Sequence, residues 1–167
     1  MKELKNILVV IAAYALQFAF LQDLPLTAYG NPYIYMWGIL VLPFNTSKTK
    51  YLLYAFVLGS IMDSLESSGG AHTIATLVLV WFKPSIENLL YGFKDGKSDE
   101  GLIHLPLANF LSQSLILILV HHAVLFTLEN YGFSHLSHLA LRIVISTLLT
   151  TLLLVIGHLL FSKRYAA

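Results

Sequence analysis

The sequence predicts an all-α integral membrane protein of six transmembrane helices, and three observations predict it. Apolar residues make up 57% of the 167-residue chain and charged residues only 11%, at a mean hydropathy of +0.74; soluble domains run at about 25% charged. A soluble fold so poor in charge would expose large apolar patches, whereas a bilayer is the solvent those patches need. The apolar residues fall into six separable segments, and the basic residues occur only in alternate connections between them, Arg142 excepted.

The first segment, 4–21, follows Lys2 and Lys5. Ala13-Tyr14-Ala15 imitates a signal-peptidase site, but the apolar run continues past it to Leu21, so an uncleaved first helix is expected. The second, third and fourth segments, 33–44, 51–62 and 71–82, are only about 12 residues each, short of the ~20 that a straight span needs. The fifth and sixth, 105–128 and 139–161, are long enough. Pro84 is expected to close the fourth helix, with a short interfacial helix over 84–93 opening a connection of about 83–104.

Lys2 and Lys5, then Lys48 and Lys50, then Lys83, Lys94 and Lys97, then Lys163 and Arg164 lie at the termini or in every second connection. The other connections, 22–32, 63–70 and 129–138, contain neither Lys nor Arg. By the positive-inside rule both termini and the basic connections are cytoplasmic. That alternation requires six crossings with the short segments counted; if two adjacent short segments formed a re-entrant pair, four would also satisfy the termini. The whole chain, 1–167, reads as one polytopic domain.

Composition narrows the chemistry. A net charge of +1 and no basic–aromatic stretch give nucleic acid no footprint. The absence of cysteine removes disulfides, thiolate metal ligands and cysteine nucleophiles. No nucleophile elbow, phosphate-binding loop, dinucleotide loop or zinc-protease helix is present, so no catalytic residue, cofactor or metal is assigned and a non-enzymatic protein is expected.

Ionisable residues at membrane depth are costly and functional by default. Asp63, His72, the pair His121-His122 and Arg142 qualify. Asp63, Glu66 and His72 could supply three zinc ligands; the competing reading, which is preferred, is a loop in which Asp63 caps a helix or pairs with Arg142 while Gly69 and Gly70 make the turn. His121 and His122 point to different helix faces and read as interfacial residues near the outer headgroups. Arg142, Ser146, Thr150 and Gly157 fall within an arc of roughly 80° at about 3.6 residues per turn, a stripe suited to helix contact, as is the small pair Ala15 and Ala19.

Two stretches, NPYIYMWGILVLPFNT at 31–46 and GSIMDSLESSGGAHTIATLVLVWFKP at 59–84, resemble the bacterial rod shape-determining MreD family. The matching features are Asn31-Pro32-Tyr33 entering the second helix, Pro43-Phe44 leaving it, Gly59 one turn before Asp63, Gly69 or Gly70 preceding Ala71-His72, and Pro84. The C-terminal helices match only as generic hydrophobic helices. The resemblance implies a multi-pass scaffold of the bacterial cytoplasmic (inner) membrane that serves the elongasome, the cell-shape complex. Its direct partner would be the bitopic protein MreC. Behind that stand the actin-like MreB, a lipid II-polymerising glycosyltransferase and a penicillin-binding transpeptidase of peptidoglycan synthesis. It also implies a fold resembling the substrate-binding subunits of energy-coupling factor transporters, so such a vitamin-transporter subunit is the alternative function.

Overall fold

The computed structural model describes residues 2–21, 29–40, 42, 46–91, 102, 105–133 and 135–161, without the side chains of 2–7, 9, 91 and 161. Every regular element among them is helical. The long ones are α1 (Lys2–Leu16), α3 (Lys48–Glu66), α4 (Ala71–Tyr91), α5 (Leu107–Glu129) and α6 (Leu136–Phe161). A π-helical turn, Gln17–Leu21, continues α1, and a 3-10 turn, Ile34–Met36, leads into the short α2 (Trp37–Leu40). Among the described residues, three helices are long and apolar enough to cross a membrane, over Ala71–Leu90, Leu107–Glu129 and Leu136–Leu160.

Two expectations on length are revised. The third segment is longer than its apolar stretch, because α3 takes in Lys48 and Lys50 at one end and Asp63 and Glu66 at the other. The fourth segment does not end at Pro84, which lies inside α4. The helix runs on to Tyr91, absorbing the described part of the expected interfacial helix, so no connection begins at residue 83. A proline removes one backbone hydrogen bond, a loss that membrane helices tolerate when neighbouring groups compensate. One turn of polar side chains holds this stretch. The buried Lys83 ammonium pairs with Glu87 and donates to the Tyr51 hydroxyl at 2.9 Å, and the Gln113 amide of α5 donates to Glu87 at 3.1 Å.

Helices α3 to α6 pack in chain order, each on the next. The α3–α4 turn is four residues, 67–70. Ser67 adopts a left-handed conformation at φ 54° and its N–H caps α3 on the Asp63 carbonyl. Gly70, at φ 99°, holds a backbone angle that side chains resist. Gly59 lets α3 and α4 touch backbone to backbone: a Cβ there would lie 2.5 Å from the Thr73 Cα.

The second segment is the centre of the molecule. Tyr33, Tyr35, Met36, Trp37, Ile39 and Leu40 are all buried, and among the described residues its helical part covers 34–40, entered by irregular backbone at 31–33. Irregular backbone buried in a helical bundle must find its hydrogen-bond partners inside the protein. Here α6 and the π turn supply them. The Asn31 N–H donates to Ser146 Oγ and the Tyr33 N–H to Thr150 Oγ1, both at 2.9 Å. Gln17 serves two groups, accepting from the Ile34 N–H at 2.8 Å and donating to the Pro32 carbonyl at 3.1 Å. Further along α6, Gly157 makes room for the Trp37 ring, which would lie 2.9 Å from a Cβ. The stripe from Ser146 to Gly157 therefore faces this chain's own second segment. Pro43 and Phe44 lie outside the described residues.

Candidate functional site

Where α3 ends, α4 and α6 begin and α5 ends, titratable side chains converge on the buried Tyr33 and Tyr35. Asp63 does not join them as a ligand. Its carboxylate accepts the backbone N–H groups of His72 and Thr73, at 2.9 and 3.0 Å, and the hydroxyls of Ser68 and Thr73. It is thus the cap of α4, held in place by the turn that Gly69 and Gly70 make. Arg142 pairs with Glu129, at 2.8 Å, rather than with Asp63, and lies over the Phe126 ring at 4.1 Å.

His72, fully buried in the first turn of α4, has both ring nitrogens engaged. Nε2 is 3.0 Å from Glu66 Oε2 and 4.0 Å from Glu129 Oε1. Nδ1 is 3.0 Å from the Tyr35 hydroxyl, which is in turn 2.8 Å from His121 Nε2. The Tyr33 hydroxyl donates to Glu66 Oε2 at 3.2 Å and accepts from the Asn31 amide at 3.4 Å. Glu66, His72, Tyr35 and His121 thus form one continuous hydrogen-bonded chain from a partly exposed carboxylate into the bundle interior. The rings also pack: Tyr33 lies edge-on to His72 with centroids 5.0 Å apart, and Tyr35 edge-on to His121 at 5.8 Å.

The reading of His121 and His122 as interfacial residues is overturned, since both are fully buried. They do diverge as adjacent helix positions must: His121 turns to Tyr35, and His122 Nδ1 lies 3.1 Å from Thr147 Oγ1 on α6. Glu129 escaped sequence reasoning as a site residue, because it reads as an ordinary acidic loop residue after an apolar helix. The available signal was its position at the same bundle end as Arg142, a basic residue in an otherwise uncharged helix. Ala15 and Ala19 are exposed on α1 and its π turn. Next to them, between α1 and α3, is an apolar groove of about 290 Å³ lined by Val10, Ile11, Leu53, Tyr54, Val57 and Leu58. No family model, no curated protein and no solved structure matches the chain.

Proposed function

We propose that this chain is a non-enzymatic scaffold subunit of the MreD type in the bacterial inner membrane. It would cross six times, with both termini cytoplasmic and a fold like that of energy-coupling factor substrate-binding subunits. Its groove would receive the transmembrane helix of an MreC-like bitopic partner, and so support the MreB-linked peptidoglycan synthases of cell elongation. The resemblance at 31–46 and 59–84 supplies the family. The single structural observation favouring a scaffold is the α1–α3 groove, whose lining is apolar apart from the Tyr54 hydroxyl. Ile11 on its wall and the exposed Ala15 are one turn apart on the same face of α1, so a partner helix could lie close along it. The alternative, a vitamin-transporter subunit, needs a polar ligand held in the bundle. Tyr33, Tyr35 and His72 instead pack on one another in the region where such a ligand would be sought.

The test is affinity purification of a tagged copy from its native membrane in mild detergent. Recovery of an MreC-like bitopic protein is expected, and Ala15→Leu with Val57→Trp is expected to abolish it without changing the yield of folded protein. Recovery of an ATPase pair or of a stoichiometric small molecule would replace this reading with transport.

A further inference from the structure

We infer that Glu66, His72 and Glu129 form a binding site for a transition-series divalent cation, with zinc the best fit. One donor atom from each lies within 4.8 Å of the other two. The ligands of a tetrahedral zinc ion bound at 2.0–2.2 Å stand roughly 3.3 Å apart. His72 Nε2 is already 3.0 Å from Glu66 Oε2 and 4.0 Å from Glu129 Oε1, so small rotations of two glutamate side chains complete the set. One imidazole and two carboxylates suit zinc and its neighbours better than magnesium, which demands an octahedron of oxygens and keeps its water.

Each donor also has its own outer partner, which is what separates a metal site from a chance meeting of acids. Glu66 is held by the Tyr33 hydroxyl. Glu129 gives Oε2 to Arg142 and turns Oε1 toward His72, so the ion pair and the cation would use different oxygens. His72 is held through Nδ1 by Tyr35, itself anchored on His121. With the shared proton on Nδ1, Nε2 offers its lone pair to the point that two carboxylate oxygens also face. A cation there would take the place of the His72–Glu66 hydrogen bond and draw in Glu129 Oε1, now 4.0 Å from His72 Nε2. Both carboxylates retain some exposure, 15% for Glu66 and 19% for Glu129, which leaves a way in and room for a water as fourth ligand. The three donors come from the end of α3, the start of α4 and the end of α5, so the ion would tie three helices together at one end of the bundle.

The site is independent of what docks on α1, and its test needs no partner. Full-length protein purified in detergent and stripped with EDTA is dialysed against zinc, the bound metal is counted by elemental mass spectrometry, and affinity is read by calorimetry. One zinc per chain is expected, with magnesium at equal concentration failing to displace it. Tyr35→Phe should weaken zinc about tenfold as an outer-partner change. Glu66→Gln and Glu129→Gln, which keep size and shape, should each weaken it further. If Glu66→Gln does not fold, Glu129→Gln decides. The assignment is overturned if the parent protein binds no zinc, if binding survives both glutamate substitutions, or if magnesium displaces the ion.

Discussion

Asp63 and His72 are joined across the α3–α4 turn by a hydrogen bond from the His72 backbone N–H to Asp63 Oδ1, at 2.9 Å. The bond fixes where α4 begins, and so where the His72 ring stands relative to Glu66 and Tyr35. Oδ2 takes the next N–H, that of Thr73, at 3.0 Å. Two of the four N–H groups that any helix start leaves without a helical partner are thus satisfied by one carboxylate.

Asp63→Ala is therefore expected to cost about 0.5–2 kcal/mol of stability, the range for losing a helix cap. Asp63→Asn keeps one acceptor oxygen and should cost less. Thermal unfolding in detergent reads both, and equal stability of Asp63→Ala and the parent would show that the cap is dispensable.

Gly59 carries the close approach of α3 to α4. A Cβ at this position would meet the Thr73 Cα and Thr76 Oγ1 at 2.5 Å and the Thr73 backbone nitrogen at 2.9 Å. Two of these three atoms are backbone, so relief requires the helices to separate. Gly59→Ala should destabilise the protein by about 1–3 kcal/mol, as overpacking does in a well-filled interior. Gly69→Ala meets nothing within 4 Å and carries only the cost of its φ of 63°, so it should be the milder change.

How much of this was legible in the sequence follows from these positions. The all-helical class was plain from composition and segment length, and three helices among the described residues are long and apolar enough to cross a membrane. The roles of Asp63 as cap and of Gly69 and Gly70 as turn were readable because cap and turn chemistry is local. The run of α4 through Pro84 was not, because what holds that stretch together involves Tyr51 of α3 and Gln113 of α5, remote in sequence. The burial of His121 and His122 escaped for a related reason. Hydropathy places a residue along a helix but does not say whether a tyrosine from another segment covers it. The polar stripe of α6 was visible as a stripe; that its partner is the irregular backbone of 31–33 needed the structure.

That pairing gives a sharp test at Thr150, a fully buried residue whose hydroxyl accepts the Tyr33 N–H. Thr150→Val keeps the shape and leaves a buried donor without its acceptor, at a cost of about 1–3 kcal/mol. Thr150→Ser keeps the acceptor and should cost less than Thr150→Val. If the two variants unfold at the same temperature, the hydrogen bond contributes nothing and shape alone governs the site.

The Lys83–Glu87 pair at the other end of the bundle distinguishes charge balance from stabilisation. Lys83 is 1% exposed and Glu87 is 15% exposed. Desolvating two charges offsets most of what their attraction returns, so such a pair adds little net stability, but removing one partner leaves an uncompensated charge. Glu87→Gln keeps a group that can still meet the Gln113 amide while taking away the charge that balances the Lys83 ammonium. It is expected to destabilise by about 3 kcal/mol. Adding Lys83→Met removes the charge left behind and should restore most of that loss, measured as a double-mutant cycle by thermal unfolding in detergent. Additive losses in the double variant would mean that the two side chains act separately, and that the polar turn around Pro84 is held by Tyr51 and Gln113 rather than by the ion pair.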